Sequence, residues 1–319
     1  MLMQSSNAHT LKQNYQKIMS SKFIKKKIVD LVCYAILICI IFLILYPFFS
    51  QIANAFKSKE DLLDQTVIYI PKNPGFAVIK ETIKAMNYWD ALGNSFLLSL
   101  LIATIQTMVS AMIGYGFARY EFPCKKLLFG FVILTIMVPP QIIMNPLYML
   151  FKDFDLMGII KLFTKQPINM LNSYFSLIVL AITGLGLKNG LYVFLIRQVF
   201  RNMPHELDEA AYVDGASEFC VFHKIMLPNA IPVLISCFLI SFSWQWMDNY
   251  TTPLLLRDVS ILPSALNGIS NYRSQDLDPI FRMAMLSAGI LLVIAPLVIL
   301  YCFLQKFFVQ GIERSGIVG

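Results

Sequence analysis

The residues with the plainest chemical purpose lie between Arg201 and Pro228. Pro204 suits a first helical position, and Glu206, Asp208 and Glu209 put negative charge near the positive end of that helix. Leu207, Ala210 and Ala211 fall on one face at i, i+3 and i+4. Gly215 supplies the break, because glycine enters the left-handed conformation cheaply. Ser217 opens a second short helix, Phe219, Phe222 and Met226 line one side of it, and Pro228 stops it. Small alanines let another backbone approach closely, and the acids beside them suit a basic rim. The pattern is that of a docking peg for a partner protein. A loop lying on a lipid surface is the other reading, but such loops carry Lys and Arg on their polar face. The first half of this one is acidic.

Other reactive side chains are scattered. Cys33, Cys39, Cys124, Cys220, Cys237 and Cys302 never stand at CxxC spacing, and His9, His205 and His223 are too far apart for a metal cluster. No catalytic or metal-ligating group is assigned. Gly184-Leu185-Gly186-Leu187-Lys188-Asn189-Gly190 lacks the GxxxxGK[ST] order of a phosphate-binding loop and sits in an apolar stretch. The chain is therefore not expected to hydrolyse ATP, and no cofactor is assigned to it.

The elements that must position these residues are membrane helices. Of 319 residues, 57% are hydrophobic and 14% charged, against about 25% charged in soluble domains. Leu31 to Phe49 carries no charge, and a helix needs roughly 20 apolar residues to cross a bilayer. The net charge of +7 is spread out, so no nucleic-acid partner is expected. The apolar run after Lys25-Lys26-Lys27 is too long for a signal peptide and reads as a retained first span.

Six spans are expected, each a helix because lipid offers an open backbone no partner: 28–49, 92–117, 127–150, 174–199, 229–249 and 283–305. A basic arm, 1–27, precedes them. Residues 50–91 form a long outer segment, 92–305 a core of five spans with the loop 200–228, and 306–319 a tail. Of the 26 Lys and Arg, 14 fall on the side of the arm and 11 on the other, so both termini are expected inside. The segments 50–91 and 250–282 are too long for turns; they present a docking surface or cap the helices. Pro139-Pro140 and Pro146 in the third span, and Gly184, Gly186 and Gly190 in the fourth, mark breaks that line a cavity or let helices pack closely. Ionisable residues are few: Asp30 and Asp248 lie at span edges, and Lys188 alone sits deeper. A proton-coupled carrier would need more, so a transporter of this kind must take its energy from elsewhere.

Glu209-Ala210-Ala211, three residues, Gly215, nine residues, then Ile225-Met226-Leu227-Pro228 resembles the signature of binding-protein-dependent ABC importer permeases, which runs EAA, three residues, G, nine residues, I-x-L-P. Every fixed position is met. The resemblance covers about Lys25 to Gly319 and is nearest the maltose-permease-like carbohydrate branch. Tyr46-Pro47-Phe48-Phe49, Asn94-Ser95, Gly114-Tyr115-Gly116-Phe117-Ala118-Arg119, Met137-Val138-Pro139-Pro140-Gln141, Leu195-Ile196-Arg197-Gln198 and Phe308-Val309-Gln310-Gly311 carry it. Two departures stand on the solute side. Residues 161–172 resemble an insertion, and Trp244-Gln245-Trp246-Met247-Asp248-Asn249 replaces the family's Trp-Asn-Asp.

The resemblance implies an all-α membrane protein of type I, MetI-like permease fold with six transmembrane helices, in a bacterial inner membrane. It implies ABC ATPase subunits that bind ATP and Mg, a second homologous permease, an extracytoplasmic solute-binding protein and surrounding membrane lipid as partners. The coupling residues would be Glu209, Ala210, Ala211, Gly215, Ile225, Leu227 and Pro228. The implied solute is an oligosaccharide or other carbohydrate; a glycerol phosphate, a peptide, or a scaffold or sensor role are the alternatives. A sugar pathway wants aromatic faces and hydrogen-bonding groups, which Gln141, Trp244, Trp246 and Asn249 offer. Anchoring at the membrane interface is the competing role for the two tryptophans.

Overall fold

The structure is a computed structural model describing residues 3–64, 66–155, 158–272 and 278–316, with side chains described between Lys25 and Gln305, Thr164 and Asn271 excepted. The side chains of most of the basic arm and of the tail, including Lys306, Arg314 and Phe308-Val309-Gln310-Gly311, therefore lie outside the described ones. Among the described residues all regular structure is helical, and the one pairing of extended backbone is an isolated antiparallel bridge between Phe154 and Ile168.

In chain order the helices are α1 (Met3–Phe56), α2 (Lys59–Leu63), α3 (Ala77–Ala85), α4 (Tyr88–Arg119), α5 (Lys125–Met137), α6 (Pro140–Lys152), α7 (Ile159–Thr164) and α8 (Tyr174–Ile182). There follow α9 (Asn189–Asn202), α10 (Glu206–Val213), α11 (Glu218–Val221), a π-helical turn (Phe222–Met226), α12 (Leu227–Asn229), α13 (Ile231–Trp246), α14 (Thr251–Leu255), α15 (Leu262–Gly268) and α16 (Pro279–Gly316).

α4 is the central post. Its buried residues recur with helical spacing, among them Ala91, Ser95, Leu98, Ile102, Gln106, Ser110, Ala111 and Tyr115, while Leu97, Leu101, Met108 and Met112 face outward. One apolar stripe on one helix thus serves three cores. Ala91 and Ala103 join α13 and α16, Ala111 and Tyr115 join α9 and the loop after it, and Leu98 and Ile102 join α6, α8 and α14. α1 differs: Ile28 to Phe49 is exposed all round, so this helix meets its solvent along nearly its whole apolar length.

α16 runs through Pro296. A proline there removes the N–H that would meet the carbonyl of Leu292, and a bare carbonyl at membrane depth needs another donor. Tyr88 Oη donates to the Leu292 carbonyl at 3.1 Å, and Trp246 Nε1 donates to the neighbouring Val293 carbonyl at 3.0 Å. The proline is thus met by α4 and α13, which tie α16 into the bundle.

Three helices, Lys25–Phe56, Tyr88–Arg119 and Pro279–Gln305, are long and apolar enough to cross a membrane. Two bent pairs qualify together, α5 with α6 at 104° and Glu218–Asn229 with α13 at 77°, giving up to five. The spans expected over 127–150 and 174–199 are each divided at the prolines and glycines that marked breaks in them. Pro139 and Pro140 turn the first of these sharply. The second is split into α8 and α9 by residues 183–188, where Gly184 (φ +73°) and Lys188 (φ +56°) both take left-handed backbone that no helix continues through. α9 then packs hard on α5, since a Cβ on Gly190 would lie 2.6 Å from the Val132 carbonyl.

The two long segments 50–91 and 250–282 pack onto the helix ends. Leu262 N–H donates to Ser95 Oγ at 2.8 Å, and Tyr272 Oη donates to Glu81 at 2.9 Å, joining one segment to the other. The segment 161–172 is pinned at its base: Met170 N–H donates to the Phe151 carbonyl at 2.8 Å, and Asn172 N–H to the Leu255 carbonyl at 2.7 Å.

Candidate functional site

The loop between α9 and α13 is held from within by one buried ion pair. Arg119, at the end of α4, places Nε 3.1 Å from Asp208 Oδ2, and both side chains are under a tenth exposed. The same guanidinium donates to the Met203 carbonyl at 3.0 Å and lies 3.0 Å from His205 Nδ1. It thus closes the end of α9 and the start of α10 at once. Because Asp208 is drawn inward, Ala211 one turn later is buried too. Leu207 and Ala210 consequently face outward, so the single face expected for Leu207, Ala210 and Ala211 is corrected: Ala211 belongs to the core, the other two to the surface. The exposed ridge of α10 carries Leu207, Glu209, Ala210 and Val213, the last 87% exposed.

Gly215 sits between the two short helices at φ +80°, with open space where a Cβ would point. Ser217 caps α11, its Oγ accepting from Cys220 N–H at 3.4 Å. Tyr120 Oη donates to Glu218 at 3.1 Å; burial first, then that carboxylate, holds the phenol above its ordinary pKa. Beyond α11 the helix does not stop at Pro228. The π-helical turn inserts extra backbone, Pro228 stands in the first turn of α12 where proline is tolerated, and the chain bends only at Ala230. The wider turn also divides the expected apolar side. Met226 is fully buried, Phe222 packs on Tyr115 at 4.9 Å, and Phe219 points outward at 72% exposure. Ile225 and Leu227 are half-buried and Pro228 is exposed.

Because Gly215 meets nothing, the effect of a side chain there is conformational alone. Gly215→Val should cost about 1–2 kcal/mol by forcing a β-branched residue into left-handed backbone. Membrane insertion should be normal and co-purification with the cognate ATPase reduced; unchanged co-purification would remove this turn from the docking surface.

A second site is a half-open cavity between the helices. Residues 183–188 close one side of a cavity of about 350 Å³ lined by α4, α5, α6 and α8, with Gln106, Thr135, Lys188, Asn189, Gln245 and Thr251 as its polar members. Gly186 is required here, since a Cβ would collide with the Gln106 amide. Of the four residues proposed for a solute path, none lines this cavity. Trp244 lies nearby, half exposed, with the Lys188 ammonium 5.3 Å from its ring centre. Trp246 is in the core, stacked on Phe242 and bonded to α16. Gln141 is exposed at the start of α6, and Asn249 is exposed, accepting from Asn267 Nδ2 at 3.5 Å. Asp248 is consumed locally: its carboxylate accepts from the backbone N–H groups of Tyr250 and Thr251 at 3.1 Å each and of Thr252 at 2.6 Å. Sequence reasoning missed Gln106, Asn189 and Arg119 as site residues, although Gln106 and Asn189 were visible as polar residues in apolar runs.

A helical bundle with broken membrane helices, a half-open cavity between them and an exposed loop between its later helices is the body of a membrane transport subunit. The chain belongs to the family described as binding-protein-dependent transport system inner membrane component, matched over residues 106–314. As such it is an importer permease, a transport subunit whose ATP hydrolysis lies in a partner chain, and the family works with an ATPase and a solute-binding protein.

Relatives extend over most of the chain. The arabinooligosaccharides transport system permease protein AraQ of Halalkalibacterium halodurans is 29% identical over 88% of this chain and 93% of its own. The sn-glycerol-3-phosphate transport system permease protein UgpE of Yersinia enterocolitica is 27% identical over 90% and 96%. A crystal structure of a bacterial ABC transporter involved in the import of the acidic polysaccharide alginate shares the fold, with TM-score 0.67 and 17% identity over 88% of this chain and 97% of that one.

Proposed function

We propose that this chain forms half of the translocation path of a carbohydrate importer. It pairs with a second, homologous permease and lies with both termini on the side where the ATPases, carrying ATP and Mg, take up residues 206–228. The observation that carries this reading is the loop geometry. Arg119 and Asp208 fix α10 rigidly to α4, while Leu207, Glu209, Ala210, Val213 and Phe219 are left exposed. Acids and small residues are a surface for insertion into a cleft with a basic rim, and a rigid mount transmits movement where a floppy one would absorb it. The relatives named for arabinooligosaccharides support a carbohydrate as solute.

The test is uptake into proteoliposomes holding this chain, its second permease and its ATPase, with the binding protein outside. ATP-dependent accumulation of labelled arabinotriose or another short saccharide is expected. A complex that hydrolyses ATP and accumulates no saccharide of any kind would sink the carbohydrate reading.

A further inference from the structure

α1 carries its own depth gauge. Between Asp30 and Lys57 it has no charged residue. At 1.5 Å per residue those two charges stand about 40 Å apart along the helix, against about 30 Å of hydrocarbon in a bilayer. Wherever a layer of that thickness is laid between the charges, Tyr46 falls inside it, about 24 Å from Asp30 and about 16 Å from Lys57. Its ring leans back towards the helix N-terminus, with its centre 5.8 Å from that of Phe42 one turn earlier.

A loop from the segment after α2 reaches that depth. Tyr69 Oη lies 3.3 Å from Tyr46 Oη, and the two rings are 6.1 Å apart. On either side of Tyr69, Ile68 and Ile70 are 60% and 81% exposed, while Val67 turns into the chain. Three successive exposed apolar residues are unfavourable in water and mark a contact surface. The loop is braced rather than slack. Lys72 Nζ meets Asp64 Oδ2 at 2.6 Å across its neck, and the Thr66 N–H and hydroxyl donate to Asp64 Oδ1 at 2.9 and 2.7 Å. Charge is thus gathered at the neck and apolar surface at the tip.

Two observations select lipid as what covers the tip. The helix beside it is exposed on every side from Ile28 to Phe49, so the tip continues a surface that already requires apolar surroundings. The Tyr69 hydroxyl also has its partner within the chain, which is the condition lipid sets for polar groups at this depth. Aromatic and aliphatic side chains at the boundary, with a lysine ammonium behind them, are what the interface of a bilayer favours.

We propose that residues 66–70 form an interfacial anchor in the phospholipid leaflet at the end of α1 far from the basic arm. Ile68, Tyr69 and Ile70 lie among the upper acyl chains, and the Asp64–Lys72 pair lies at the headgroups. The anchor fixes the height of segment 50–91 on the membrane whichever solute is carried.

The test is photo-crosslinking of the whole transporter, this chain with its partner subunits in phospholipid nanodiscs. Ile70 is largely exposed, so replacing it leaves the fold in place. Ile70→benzoylphenylalanine should give a phospholipid adduct, seen as the mass of one lipid added to this chain. A cross-link to the second permease or to the binding protein in its place overturns the anchor, and so does a chain that gains no adduct. Ile70→Trp reads depth independently. Its added emission should be quenched at least about twofold more by phospholipid brominated on its acyl chains than by iodide in the water, as a site about 5–10 Å into the boundary requires. Stronger quenching by iodide places the loop in water and overturns the proposal.

Discussion

Asp208→Ala should destabilise the chain by about 3–5 kcal/mol, since it strands a buried guanidinium without its counter-charge. The loss is large because the pair is shielded: Arg119 and Asp208 are 5% and 9% exposed at 3.1 Å, so water does little to replace the missing carboxylate. Thermal unfolding in detergent should show it directly. Function should fall further than stability. α10 has few other anchors, Ala211 being its one fully packed apolar residue, so a loosened α10 would present Glu209 and Ala210 in many orientations. ATP-driven uptake should drop by an order of magnitude or more even at temperatures where the variant stays folded. The double variant Arg119→Met with Asp208→Leu should regain much of the stability, because replacing both members by apolar groups removes the desolvation problem. If it regains transport as well, the pair is a mount only. A single Asp208→Ala that unfolds and transports like wild type would show that α10 is held by something else.

Trp246→Ala should cost about 3–5 kcal/mol, the usual toll for emptying a buried aromatic site. Trp246 is 1% exposed, stacks on Phe242 at 5.6 Å and donates to the Val293 carbonyl at 3.0 Å. That bond lies one residue from the carbonyl that Pro296 cannot meet and Tyr88 does, so α13 and α4 both tie α16 beside its proline. Trp246→Phe keeps most of the packing and loses the donor, and should cost about 1 kcal/mol. Trp244→Ala should leave stability nearly unchanged, its ring being half exposed. Denaturation midpoints in one detergent decide the matter. Equal losses at the two tryptophans would contradict their different burial.

The contrast between these tryptophans shows what sequence carries and what it does not. Residues two apart on a helix point about 200° apart, so one of the pair had to face away from the other, but only packing against α16 selects which. Run length and low charge gave the helical membrane character, and the spacing Glu209 to Pro228 gave the family. Gly215 could be placed because left-handed backbone favours glycine, and Ser217 because an N-cap favours a short acceptor. The extension past Pro228 was not legible: a proline reads as a stop, yet it is harmless in a first turn, and the π-helical turn before it has no sequence signature. The Arg119–Asp208 pair joins residues far apart in the chain, and no local pattern announces such a contact. The broken spans were half legible. Pro139-Pro140 and the three glycines marked weak points, but the angle of 104° is set by what α5 and α6 pack against.

The bend at Ala230 has a mechanical reading. On one side stands the short rod from Glu218 to Asn229, welded to the loop; on the other stands α13, 16 residues long, with Trp244 near its far end. Ala230 is fully buried, so the joint is a fixed axle rather than a loose tether. At 1.5 Å per residue the arm from Ala230 to Trp244 is about 21 Å, and a turn of roughly 10° at the axle would swing the indole through about 4 Å. That stroke is close to the 5.3 Å separating the indole from the Lys188 ammonium. A small push on the loop is thereby geared up into opening or closing the gap between a ring and a charge.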